Sequence, residues 1–193
     1  MENHTKKAMQ IINNSHFVIK NVKTLNGREG YIVNANLYYK SKLVAYILDD
    51  GNGGCLNIDW NIKQDKDGMP YLPQNIKDAQ SDMETLVNKL PKKSMWGKYD
   101  FDDEGVINAL IDQYLAKQDF MKALKKVSVV TSDNKIASYK AKASDLNKMF
   151  NFKDGIMTFR DFVLRDKSVK LILNDIALKD GICDAFDVYL QYR

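Results

Sequence analysis

The sequence has little cysteine, histidine or proline, and each shortage excludes a class of protein. Two cysteines and two histidines, at Cys55, Cys183, His4 and His16, are too few and too scattered for a zinc site. Three prolines among 193 residues and the absence of low-complexity tracts argue against long disordered linkers. We predict no metal and no cofactor for this chain.

Long apolar runs are absent as well. No segment reaches the roughly 18 consecutive apolar residues of a transmembrane helix, and residues 1–20 show no basic segment followed by an apolar one. The sequence therefore predicts a cytoplasmic protein with no membrane partner, in which both cysteines are reduced thiols.

The overall composition is that of a globular protein, with 45% hydrophobic and 28% charged residues. A chain of 193 residues is long enough to bury a sizeable core without disulfides. We predict one domain over residues 1–193, and residues 92–100 are the best candidate for a boundary if the chain is divided.

The first third of the chain predicts an antiparallel β-meander. Strand patterns occur at residues 17–23, 31–39, 42–49 and 56–60, and Lys40-Ser41 is short enough for a hairpin turn. The tyrosines of this region suit half-buried sheet positions and are also favoured at interfaces; they are Tyr31, Tyr38, Tyr39 and Tyr46.

The rest of the chain combines helices and strands. Apolar residues at helical spacing predict two central helices, at residues 76–90 and 106–124. Further on we expect strands at 127–130, 135–140 and 169–173 and a short helix within 143–150, while 182–192 suits a helix or a strand. The sequence therefore predicts an α+β fold: an N-terminal antiparallel meander packed against two central helices, with a mixed C-terminal section.

The most conspicuous local motif is the glycine-rich loop Asp50-Gly51-Asn52-Gly53-Gly54. Asp-Gly and Asn-Gly are strong hairpin signals, and the Lys-Ser/Thr and following helix of a phosphate-binding loop are missing, so the sequence favours a turn over an anion cradle. Asp49, Asp50, Asn52 and Asp59 supply oxygen ligands, but the spacing does not match a calcium-binding loop.

Two hydrolase hypotheses follow from this region. Cys55 is a candidate nucleophile with His16 as its only reasonable base, and Asp49, Asp50 and Asp59 are candidates for a metal-assisted nuclease. Neither set includes the complete constellation that such chemistry needs. The sequence therefore favours a protein that is not an enzyme, with a small cysteine- or metal-dependent hydrolase as an alternative.

Charge is distributed unevenly along the chain. Residues 43–84 contain 3 basic and 8 acidic residues, whereas residues 117–170 contain 13 basic and 6 acidic residues. Such asymmetry indicates an acidic partner for the basic region, or only a solvated surface. The candidate binding residues of this region are Lys122, Lys125, Lys126, Lys135, Lys140, Lys142, Arg160, Arg165 and Lys167.

Aromatic residues are interspersed in the same basic region, at Tyr139, Phe150, Phe152, Phe159 and Phe162. Basic grooves with stacking aromatics bind single-stranded nucleic acid, although no recognised nucleic-acid-binding motif is present. Direct binding of nucleic acid is therefore an alternative function, and the other interpretation of the phenylalanines is that they belong to the core.

Segments of the first third resemble small uncharacterised accessory proteins of tailed bacteriophages and bacterial mobile elements. They are Gly27-Arg-Glu-Gly30, Asn36-Leu-Tyr-Tyr39, Val44-Ala-Tyr-Ile47 and the run from Asp50 to Trp60, which has a Gly-Gly-Cys loop followed by tryptophan. The resemblance implies a phage or prophage gene expressed in the bacterial cytoplasm, and assigns no residue a role. We expect a binding protein that occupies a host protein or protein–RNA complex, such as a defence nuclease of the CRISPR kind.

Overall fold

The computed structural model describes residues 2–91 and 102–192. Over these residues the chain forms six α-helices and eleven strands, and the α+β prediction is confirmed. The chain divides into two compact units, Met1–Leu115 and Ala116–Arg193, and the division falls inside a helix. The boundary suggested at residues 92–100 lies outside the described residues, and the single domain stays a prediction.

The first unit is built on a four-stranded antiparallel meander. Its strands pair in chain order and are β1 Phe17–Asn26, β2 Tyr31–Tyr39, β3 Lys42–Asp49 and β4 Asn57–Trp60. β2 and β3 have the predicted bounds because the turn between them is well specified: Lys40 and Ser41 have φ angles of 45° and 67°, the positive values of a two-residue hairpin turn. A short hairpin of β5 Lys63–Gln64 and β6 Pro70–Tyr71 follows and was not expected.

Helices and the meander share the apolar core of the first unit. The helices are α1 Glu2–Asn13, α2 Gln74–Lys89 and the first part of α3 Asp103–Ala123. Leu37 and Ile47 of the meander lie in one cluster with Ile12 of α1, Ile76 of α2 and Ile107 of α3. Each of these side chains is at most 1% exposed, so burial of apolar area holds the helices to the sheet. The predicted packing of the meander against two central helices is confirmed.

The second unit contains a three-stranded antiparallel sheet in the order β11-β7-β8. These strands are β7 Lys126–Thr131, β8 Ile136–Lys142 and β11 Val169–Ile172. The unit also contains a hairpin of β9 Met149–Phe152 and β10 Gly155–Thr158, and three helices: α4 Phe159–Arg165, α5 Leu173–Lys179 and α6 Ile182–Tyr192. β7 is buried on both faces, since Val127 and Val129 lie in one apolar cluster and Val130 in another.

Two local predictions for the second unit are decided by the structure. The helix expected within residues 143–150 is wrong: only Ala143–Asp145 forms a 3-10 turn, and Met149 begins β9. Phe150 lies opposite Met157 across the β9–β10 pair, so tertiary pairing decides a short apolar segment that has no clear period. Residues 182–192 form a helix. No helix in the described ranges has the length and apolarity to cross a membrane.

Candidate functional site

Five of the predicted basic residues gather at one end of the sheet in the second unit. Lys126 begins β7 and Lys142 ends β8, and the two lie directly opposite each other in the strand register. Lys140 precedes Lys142 by two positions on the same strand, and the backbone carbonyl of Lys125 accepts a hydrogen bond from Ala143 N at 3.0 Å. Lys122 lies in the last turn of α3. We call this set, Lys122, Lys125, Lys126, Lys140 and Lys142, the lysine cluster.

Asn174 of α5 fixes the backbone that carries part of the lysine cluster. Its Nδ2 donates hydrogen bonds to the carbonyls of Leu124 and Lys126, at 3.1 and 3.0 Å. Its Oδ1 accepts one from Ser128 N at 2.8 Å. Asn174 is 5% exposed, and the three bonds satisfy backbone groups at the junction of α3 and β7. The main chain from Leu124 to Ser128 is therefore anchored while its lysine side chains project outward.

The lysine cluster is exposed and largely without counter-ions. All five lysines are exposed, and only Lys122 has an ion-pair partner among the described residues, Asp119 at 3.1 Å. Asp145 lies at the edge; its pKa is lowered first by Lys148, with which it pairs at 2.6 Å, and more weakly by the charge of Lys142. Lys122 and Lys125 also suit the negative end of α3, a structural role that does not extend to the other three lysines.

Lys126 and Lys142 bring two positive charges together on paired strands. Like charges directly opposite on paired strands repel, with side chains about 5 Å apart at Cβ. Nothing in the second unit compensates this repulsion with an ion pair in the part of the chain that the structure describes. An acidic surface or a run of phosphates would offset such repulsion.

The other predicted basic residues lie elsewhere. Lys135 is at the opposite end of β8, where it pairs with Asp133 at 2.8 Å. Arg160 is half-buried and serves the fold: its Nη2 lies 2.9 Å from Asp175 Oδ1, and its Nε donates to Asn147 Oδ1 at 3.1 Å. Arg165 and Lys167 are exposed at the end of α4 and in the loop after it. The nine predicted residues therefore do not form one continuous face.

The structure brings the five predicted aromatic residues together. Phe152 and Phe162 stack with ring centroids 4.2 Å apart, and Phe159 contacts Tyr139 and Phe150 edge-on, both at 5.8 Å. The cluster packs on a buried core through Tyr139 and Phe159, while Phe150 and Phe162 are 38% and 37% exposed. Most of this cluster therefore belongs to the packing of the β9–β10 hairpin and α4, and two ring surfaces remain open to solvent.

The glycine-rich loop forms a turn in which two of the amides are already occupied. Gly51 N donates to Asp49 Oδ1 at 2.8 Å, and Asn52 N donates to Asp50 Oδ1 at 3.0 Å. The amide of Asn52 is the largest cause that lowers the pKa of Asp50. Because carboxylates of the loop itself occupy the amides of Gly51 and Asn52, this geometry favours the turn over the anion cradle.

Close packing of backbone explains why two glycines meet beside this turn. A Cβ on Gly27 would lie 2.9 Å from Gly30 O and 3.0 Å from Gly51 Cα, and Gly51 itself has a φ of 69°. Glu29 N also donates to Gly51 O at 2.9 Å. The turns at residues 27–30 and 50–54 therefore pack directly on each other, an architectural role that accounts for both glycines.

Cys55 and His16 lie at opposite ends of the meander. His16 directly precedes Phe17, which faces Tyr39 near the Lys40-Ser41 turn. Cys55 lies two residues before Asn57, which faces Leu48 near the other end of β3. Six strand positions separate the two ends, about 20 Å at the usual rise per residue, so His16 cannot take a proton from the Cys55 thiol. Cys55 is exposed and free.

The described residues contain no group of three or more His, Cys, Asp or Glu side chains placed to hold a metal ion. Asp49, Asp50 and Asp59 therefore do not form the set that a metal-assisted nuclease needs. Asp49 and Asp50 accept backbone hydrogen bonds within their own turn, and Asp59 faces Tyr46 on β3.

Comparisons with known proteins give no relative: no family model, no curated protein and no solved structure matches this chain. The resemblance to phage accessory proteins therefore stays a prediction from the sequence.

Proposed function

We propose that this protein is a non-enzymatic binding protein that occupies a host protein–RNA complex and contacts its phosphates through the lysine cluster. The observation that carries the proposal is the facing Lys126–Lys142 pair, which forms no ion pair among the described residues and is flanked by Lys125 and Lys140. Phosphates of a nucleic acid would neutralise these side chains and release counterions, which is a large favourable term in nucleic-acid binding.

The absence of an assembled catalytic set in the described residues supports binding over catalysis. Cys55 lies far from His16, its predicted base, and the candidate carboxylates form no metal site among the described residues. A protein that acts by occupancy needs only an exposed, correctly charged surface, which the second unit supplies.

The setting supports a narrower proposal about the target. The resemblance to phage accessory proteins suggests a bacterial host. Among bacterial protein–RNA complexes, a defence nuclease is one whose inhibition benefits a phage. Such a nuclease presents guide RNA and positively charged protein together. The basic lysine cluster of the inhibitor would therefore be directed at the RNA rather than at the protein.

An affinity pull-down of the tagged protein from a bacterial lysate, with and without ribonuclease, tests the proposal. We expect one host complex to be recovered in stoichiometric amount, with its RNA protected, and we expect recovery to fall steeply as salt rises. Recovery of free nucleic acid alone, lost on nuclease treatment, would favour direct nucleic-acid binding instead. Recovery of one RNA-free protein at all salt concentrations would contradict the role of the lysine cluster.

A further inference from the structure

A second feature, independent of the lysine cluster, is a cavity of about 410 Å³ in the first unit. It lies between the end of α1, the start of β1, the end of β2 and the second half of α2. Phe17, Tyr39 and Leu86 supply buried apolar surface, and Asp82, Lys89 and His16 supply charged or titratable groups. A concave, mainly apolar site with a few converging polar groups is typical of a small-molecule site.

Asp82 is the one carboxylate among the described residues that lines this cavity, and it is held in place. The Tyr39 hydroxyl donates a hydrogen bond to Asp82 Oδ2. Burial, and then the hydrogen bond to Asp82, raise the pKa of Tyr39, so the phenol stays protonated and remains a donor. The other oxygen, Oδ1, accepts no hydrogen bond from the described residues.

A lysine of the chain itself shows that the Asp82 carboxylate and the Tyr39 ring can hold an ammonium group. Lys40 Nζ lies 3.8 Å from Asp82 Oδ2 and 4.6 Å from the centroid of the Tyr39 ring. The Tyr39 side chain is thus part of an ammonium-binding pair of ring and carboxylate. Both charged side chains are about half exposed, and a pair of this kind is weak, so the charge of Asp82 is still available to a ligand.

Helices α1 and α2 determine how charge is distributed along the cavity. The C-terminal end of α1 at Asn13 carries partial negative charge beside the cavity. On α2, Asp82 and Lys89 lie on the same helical face and are separated by two turns, about 10 Å along the axis. A cationic group is therefore favoured near Asp82, whereas Lys89, in the last turn of α2, supplies a positive charge at the far end.

We propose that this cavity binds a small, arginine-like molecule. Its guanidinium or ammonium group pairs with Asp82 Oδ1, its apolar chain lies against Phe17 and Leu86, and its acceptor end faces Lys89. Arginine and citrulline provide a matched pair of probes, since they have nearly the same size and differ in the charge of the terminal group.

The first experiment is a titration of the ¹⁵N-labelled full chain with each probe, followed by NMR. We expect L-arginine to shift the amide signals of residues around the cavity, such as Ile11, His16 and Thr85, in a saturable way. We expect L-citrulline to cause no saturable shift. No arginine-dependent shift up to about 10 mM, equal shifts with both probes, or shifts only at residues away from the cavity would each overturn the proposal.

Three substitutions separate a ligand-binding role from a structural one. Asp82→Asn keeps the shape and should lower arginine affinity by about tenfold, the order expected for loss of a hydrogen bond to a charged group. Lys40→Gln removes the internal competitor and should raise affinity, a change of opposite sign that a purely structural role does not produce. Tyr39→Phe keeps the ring and the carboxylate, so binding should persist.

A thermal melt of each variant shows that it is folded. Unchanged affinity in Asp82→Asn, or lowered affinity in Lys40→Gln, would contradict the assignment of Asp82 as the counter-ion. These outcomes do not depend on the lysine cluster. Failure of the arginine proposal therefore leaves the proposed function unaffected, and failure of the proposed function leaves the arginine proposal unaffected.

Discussion

Lys126 and Lys142 face each other across the antiparallel pair of β7 and β8, and neither forms an ion pair within the described residues. A fold under selection for stability alone gains nothing from this arrangement, because facing like charges repel. Stability of the fold therefore does not account for this pair.

The pair predicts a trade between stability and binding. Lys126→Glu converts repulsion with Lys142 into attraction, so we expect the free energy of unfolding to rise by about 0.5 kcal/mol. The same change should weaken binding to RNA. Urea denaturation and RNA affinity should both be measured on the variant and on Lys23→Glu, an exposed change in the first unit. If the Lys126→Glu variant loses stability and keeps its RNA affinity, the pair has no role in binding.

The lysine cluster also predicts how binding depends on salt. The wild type should bind RNA with an affinity that falls steeply with salt. Replacing Lys125, Lys126, Lys140 and Lys142 with glutamine should lower the slope of log K against log salt by about 3, at roughly 0.7 per phosphate on a single strand. Fluorescence anisotropy at several salt concentrations measures the slope. An unchanged slope in the variant would mean that the RNA phosphates contact another part of the protein.

Asn174 predicts a large effect on stability from a single buried side chain. Asn174→Ala leaves Ser128 N and the carbonyls of Leu124 and Lys126 without their partner, so we expect a loss of about 2–3 kcal/mol in the free energy of unfolding. Asn151→Ala, at an exposed position of β9, should change it by less than about 0.5 kcal/mol. Equal effects of the two changes in urea denaturation would argue against the anchoring role.

The packed turns of the first unit predict which glycines tolerate a side chain. Gly51→Ala meets the Ile32 backbone at 3.1 Å and places a Cβ at a φ of 69°, so we expect a loss of about 1–3 kcal/mol. Gly54→Ala is the matched control, since nothing lies within 4 Å of its added Cβ, and it should be nearly neutral. If the glycines instead bound an anion, both substitutions would lower the affinity for that anion more than they lower the free energy of unfolding.

Local patterns were sufficient for much of the fold. The bounds of β2 and β3 follow from alternation and from the Lys40-Ser41 turn, and the extents of α2 and α3 follow from helical spacing of apolar residues. The β9–β10 hairpin could not be predicted in the same way, because Met149–Phe152 is too short to show a period and is a strand only through its pairing with Gly155–Thr158.

The candidate site was predictable as a composition but not as a geometry. The sequence shows an excess of lysine and arginine, and it cannot show that Lys126 faces Lys142 while Lys135 lies at the other end of the sheet. That separation depends on the β7–β8 register, including its irregularity between Lys126 and Ser128. Likewise, no local signal joins Tyr39 to Asp82, which lie 43 positions apart in sequence.

The most direct test of the central claim is a pull-down from bacterial lysate with two variants that lose the same number of positive charges. One variant carries glutamine at Lys125, Lys126, Lys140 and Lys142, and the other carries glutamine at Lys23, Lys63, Lys66 and Lys77, which are exposed in the first unit. We predict that the second variant recovers the host protein–RNA complex as the wild type does and that the first does not. Equal recovery by both variants, with both folded, would contradict the claim that the lysine cluster is the binding surface.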